Sequence, residues 1–144
     1  MRQVIGLPVG AAAIAALLAF AVPGYAETVK FKADLTGASE VPPNTSKATG
    51  MVTATYDTAS KQLSWKGSYS GLSGPATAAH FHGPAPAGKN AGVAVPIKES
   101  ASPFEGSATL TDAQAADLMG GNWYVNIHTD ANKGGELRGQ LAKM

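Results

Sequence analysis

Only three histidines occur in this 144-residue chain, and two of them flank a phenylalanine in "TAAHFHGP", Thr77 to Pro84. The third, His128, ends the segment "NWYVNIH" well downstream. Alternate side chains of a strand point to opposite faces, so Phe81 faces one way and His80 and His82 the other. The same alternation sends Trp123, Val125 and Ile127 to one face of the second segment, and Tyr124, Asn126 and His128 to the other. The aromatic and β-branched set belongs to the core, which leaves all three imidazoles on the outer face. Residues two apart on a strand are about 6.6 Å apart along the chain, close enough for two imidazoles to meet one ion. Neutral imidazole suits copper and zinc. If the two strands lie near each other, His128 completes a three-histidine site with at least one open position, which marks a reactive site more than a structural one.

A third segment adds charge to that face. In "GELRGQL", Leu137 and Leu141 take the core side, so Glu136, Arg138 and Gln140 face outward. Arg138 and Arg2 are the two arginines of the chain. A permanent cation beside a metal would attract and orient small anions. A salt bridge with Glu136, Asp130 or another acid is the competing reading. Asp130 could be an oxygen ligand, an acceptor for an imidazole N–H, or a turn residue. The histidines have their own alternative, in which His80 and His128 hydrogen-bond across the sheet and fix its register, with Tyr124 and Asn126 as polar neighbours.

Such a site needs strands to hold it. Short alternating segments separated by turn residues predict strands over Thr28–Leu35, Gly50–Tyr56, Gln62–Tyr69, Ala76–His82, Gly92–Ile97, Glu105–Thr109, Asn122–Thr129 and Glu136–Leu141. One stretch differs. In "LTDAQAADLMGG", Thr111 and Gln114 have the spacing of a capping box, Leu118 and Met119 can pack inward, and Gly120 can end the helix. The expectation is an all-β fold, a Greek-key, immunoglobulin-like antiparallel β-sandwich, with one short helix near 111–119.

The N-terminus reads as a secretory signal peptide over residues 1–26. Arg2 precedes an apolar run from about Val9 to Val22, then Pro23-Gly24 and a small Ala26. That run is short for a membrane span, which needs about 20 residues. Residues 27–144 then form one domain, exported to the periplasm or secreted, with no membrane span after cleavage. Without Arg2, ten basic residues face ten acidic ones and no basic run appears, which argues against nucleic acid as a partner. The chain has no cysteine, which excludes disulfides and thiol catalysis. Neither a G-x-S-x-G elbow nor a phosphate loop occurs.

The ordered segments "FKADLTGASEVPP" (Phe31–Pro43), "AAHFHGPA" (Ala78–Ala85), "WYVNIHT" (Trp123–Thr129) and "GELRGQL" (Gly135–Leu141) closely resemble the CHRD domain family, named for the domain repeated in chordin. The resemblance covers nearly all of residues 27–144 and implies an extracytoplasmic β-sandwich module. A fainter resemblance is to copper/zinc superoxide dismutases, which carry an H-x-H strand, a later histidine in V-x-I-H, and a Gly-rich loop leading to an arginine. It implies copper ligation by His80, His82 and His128 and anion steering by Arg138, while the cysteines and further histidines of that family are missing here. The resulting expectation is an exported domain binding a metal, copper first and zinc second, with superoxide or another small anion as a partner of any redox activity. A non-catalytic structural or protein-interaction module of the cell envelope is the alternative.

Overall fold

The computed structural model describes residues 24–144, so the expected signal peptide falls outside the described residues except for its last three positions. The chain runs β1 (Thr28–Thr36), a 3₁₀ turn (Gly37–Ser39), β2 (Thr49–Asp57), β3 (Gln62–Ser70), β4 (Ala76–His82), β5 (Val93–Ile97), β6 (Phe104–Thr109), α1 (Asp112–Met119), β7 (Tyr124–Thr129), β8 (Leu137–Gln140) and β9 (Ala142–Lys143). Every expected strand is present within a residue or two at each end. Only β9 was not anticipated. The helix begins where the sequence placed it, with Thr111 Oγ1 accepting from Gln114 N and Gln114 Oε1 accepting from Thr111 N. Gly120 is the C-cap in a right-handed conformation, and the left-handed residue is the following Gly121, at φ 78°.

Pairing is antiparallel throughout, in the order β5-β4-β7-β8-β1-β2-β3-β6. Alternation on each strand sends one set of side chains inward: Phe31, Ala33 and Leu35 on β1, Val52, Ala54 and Tyr56 on β2, Leu63 and Trp65 on β3. Ala79 and Phe81 on β4, with Val125 and Ile127 on β7, supply the opposing wall. Trp65 meets Phe81 edge-on with ring centroids 5.0 Å apart, so β3 and β4, each second from an end of the path, face each other across the core. The sheet therefore curls into a nearly closed antiparallel β-sandwich. α1 leads from β6 toward the far edge, where Gln114 Nε2 donates to Ala94 O of β5 at 3.1 Å. Pro96 removes a donor from that edge strand, which blunts it against stray pairing. Among the described residues no helix is long and apolar enough to cross a membrane.

One expectation needs correcting. The histidine-bearing face was expected to lie open to solvent, yet on β7 and β8 both faces are buried. The segment Gly83–Gly92 between β4 and β5 folds back as a strap over the outer side of β4, β7 and β8. Asn126 and Arg138 are 4% and 2% exposed in consequence, and Glu136, beneath other loops, is 0% exposed. Strand periodicity assigns a side chain to a face, but whether that face meets water depends on where distant connections come to rest.

Candidate metal centre

The histidines meet because β4 and β7 are paired neighbours, with His82 opposite Tyr124, His80 opposite Asn126, and Ala78 opposite His128. His128 is thus diagonal to His80 on the same face, as its alternation required. His80 Nδ1 lies 3.1 Å from His128 Nε2. One ring nitrogen from each of His80, His82 and His128 falls within 4.8 Å of the other two. His80 and His128 are half-buried, and His82 is buried.

Each ring is oriented by its surroundings. A main-chain carbonyl can only accept, so His128 Nδ1 donates to Lys133 O at 2.8 Å, leaving Nε2 as a lone pair beside His80. His82 sits between two oxygens, Ala91 O at 3.0 Å from Nδ1 and Asn126 Oδ1 at 2.8 Å from Nε2. A neutral imidazole has a single N–H and satisfies one of them by donation. Burial, reinforced by repulsion from His128 and His82, holds the His80 pKa below the ordinary histidine value. Burial also lowers that of His82, against opposing hydrogen bonds to Ala91 and Asn126. Both rings are therefore held in the neutral form that coordinates metals.

Whether the donor set suits a metal can be tested on distances. With metal–nitrogen bonds of about 2.0–2.1 Å, tetrahedral ligand nitrogens stand roughly 3.3 Å apart. The His80–His128 pair already meets that spacing. The widest separation within the group, 4.8 Å at most, has to close by about 1.5 Å, which a modest side-chain rotation supplies. The ligands are imidazoles alone, with no thiolate or carboxylate in the group. This composition fits copper or zinc better than calcium or magnesium.

Arg138 is not where an anion-steering residue was expected. Its guanidinium carbon lies 3.5 Å from the Tyr124 ring centroid, Nη1 donates to Asn90 Oδ1 at 2.9 Å, and Nη2 donates to Lys89 O at 2.5 Å. The strap covers it and accepts one hydrogen bond from each Nη. The competing salt bridge is absent too: among the described residues the ion pairs are Lys32–Asp34 and Lys61–Asp112. Glu136, expected to face outward, is instead drawn under the loops at Ser46 and Ser73. It accepts from Ser46 Oγ, Ser73 N, Ser73 Oγ and Thr129 Oγ1 at 2.6–3.0 Å. Asp130 is exposed in the turn after β7, and the acceptor for the His128 N–H is Lys133 O. Gln140 bridges outward to Ala85 O and Gly121 O, each at 2.9 Å.

Sequence reasoning passed over Glu40. It is 5% exposed, its Oε1 has no hydrogen-bond partner, and burial pushes its pKa up to about 7 despite the opposing pull of Arg138. An acid in a turn before Val41-Pro42-Pro43 is ordinary in sequence. Its burial beside Asn126 and Arg138 arises only from the folded arrangement.

The CHRD domain model matches residues 31–141. The chain belongs to the CHRD domain family. No curated protein and no solved structure matches it. The match runs from Phe31 within β1 to Leu141, so all three histidines, Glu40, Glu136 and Arg138 lie inside the CHRD domain. In this CHRD domain the segments carrying "HFH" and "VNIH" are the paired strands β4 and β7, which brings their histidines together on one face.

Proposed function

We propose that this CHRD domain binds a single first-row transition-metal ion through His80, His82 and His128, with copper the first candidate and zinc the second. The observation that carries the reading is the convergence of three ring nitrogens within 4.8 Å, with His128 already donating from Nδ1 to a main-chain carbonyl and His82 Nδ1 lying 3.0 Å from another. Such outer hydrogen bonds fix the tautomer and aim the other nitrogen at an ion. Bound copper would supply a one-electron couple; bound zinc would supply only Lewis acidity. The protein's own part is to hold neutral imidazoles together and to shield His82 beneath the strap.

Arg138 lends no support to superoxide chemistry, since it is buried beneath the strap with Nη1 and Nη2 bonded to Asn90 and Lys89. Ion holding, as carrier or buffer in an exported protein, is the form of the function that the geometry favours. A second reading has its own observation: the 3.1 Å contact between His80 and His128 crosses from β4 to β7 and would serve a purely structural module. The two separate on titration. Cu(II) added to the purified protein should give an imidazole-type electron spin resonance spectrum with one ion per chain, lost when all three histidines are replaced by alanine. Copper uptake unchanged in that variant would refute the metal reading. Failure of both copper and zinc to bind at micromolar concentration, with a large stability loss in His80→Ala, would establish the structural one.

A further inference from the structure

His82 is held by more than its two polar neighbours Ala91 and Asn126. Its ring is parallel to that of Tyr124, 3° between planes and 4.8 Å between centroids. Arg138 packs on the same tyrosine, 3.5 Å from the ring centroid. The strand order β4-β7-β8 explains the stack, because His82 and Arg138 reach Tyr124 from the strands on its two flanks. The same three side chains also grip three consecutive strap residues. Arg138 donates to Lys89 O and Asn90 Oδ1, while the Tyr124 hydroxyl accepts from Ala91 N at 3.1 Å and donates to Ala91 O at 3.2 Å. His82 Nδ1 lies 3.0 Å from that same Ala91 carbonyl. From the other side, Asn90 Nδ2 donates to Val41 O at 3.2 Å.

We propose that Arg138 is a positioning residue for His82, clamping the strap and backing the Tyr124 ring so that the imidazole stays in place beside His80 and His128. The proposal rests on the three-histidine metal reading and deepens it. Arginine suits the task where lysine does not. Its planar fork reaches two acceptors at once and its flat face lies on an aromatic ring. A lysine keeps the charge but is a single point donor without a stacking face. Arg138→Lys therefore separates a clamp from an anion-attracting charge: the charge survives and the clamp does not.

The test uses the purified protein in two states. Without metal, the ring protons of His82 are followed by proton–carbon correlation spectroscopy, since stacking on Tyr124 shifts them by ring current. With metal, Zn²⁺ affinity is measured by competition titration. Arg138→Lys should lose the His82 ring shift and bind Zn²⁺ about 10–100-fold more weakly, the usual effect of removing an outer-shell partner. Asn90→Ala, a change confined to the strap, should move both readouts the same way by less, and it carries the test if Arg138→Lys does not fold. Wild-type shift and wild-type affinity in both variants would overturn the proposal. Should the wild-type protein bind neither Zn²⁺ nor Cu²⁺, the metal reading falls, and the metal-free His82 shift alone still decides whether Arg138 acts as the clamp.

Discussion

Glu136→Gln should destabilise the domain at pH 7 by about 2 kcal/mol and remove a large part of its acid sensitivity. The Glu136 side chain is fully buried and ties together segments far apart in sequence, taking hydrogen bonds from Ser46, Ser73 and Thr129. Burial alone would raise its pKa, but the bonds from Ser73, Ser46 and Thr129 prevail and bring it down to about 2, from an ordinary 4.5. A carboxyl whose folded pKa is depressed contributes stability above its unfolded value and loses that contribution as pH falls toward the folded value. The window here runs from about 4.5 to about 2. At about 1.4 kcal/mol per pKa unit the full gap corresponds to roughly 3 kcal/mol. Although it has no exposed surface of its own, Glu136 lies at the floor of a groove open to solvent between Asn44, Ser73 and Asn132, so screening by that water brings the figure nearer to 2 kcal/mol. For a domain of this size that is a loss on the order of 8 °C in Tm. Urea unfolding of both proteins between pH 2 and pH 8 measures it. The wild-type midpoint should fall steeply below pH 4.5 and the Glu136→Gln midpoint much less. Superimposable profiles would refute the assignment of Glu136 as the charged acceptor of this cluster. So would strict additivity with Ser73→Ala, since residues sharing hydrogen bonds couple by at least about 0.5 kcal/mol.

Glu40 should behave oppositely. Its folded pKa is raised to about 7, so its contribution to stability is complete below 4.5 and is lost as pH rises through about 7. Glu40→Gln should abolish that slope and leave the variant at least as stable as the wild type at pH 8, as thermal melts at pH 5 and pH 8 would show. Gly139→Ala should cost about 3 kcal/mol or prevent folding, because a Cβ there would overlap the Asp34 carbonyl where β8 approaches β1; an unchanged denaturation midpoint would contradict that close approach. Zinc affinity should fall less between pH 7 and pH 6 than the roughly 30-fold expected for three ordinary imidazoles, because burial keeps His80 and His82 deprotonated to lower pH. A drop of 30-fold or more, read by competition titration, would contradict that account of the rings.

The sequence by itself determined what is local. Period-two alternation set which side of each strand faces the core, so Phe81, Val125 and Ile127 are inside and the three histidines share the opposite face. The Thr111–Gln114 spacing set the start of the helix through contacts made within one turn. Tertiary structure decided which strands are neighbours, and therefore that His128 reaches His80, because β4 and β7 are separated by two strands and a helix along the chain. It decided as well that the outer face of β7 and β8 is roofed by Gly83–Gly92. That roof turned Arg138 from an exposed cation into a buried clamp, while the loops at Ser46 and Ser73 enclosed Glu136 and the turn at Glu40 carried an acid inward. Alternation is a property of a strand and its own backbone. Solvent exposure of a sheet face is a property of everything that folds over it, and no periodicity within the strand records that.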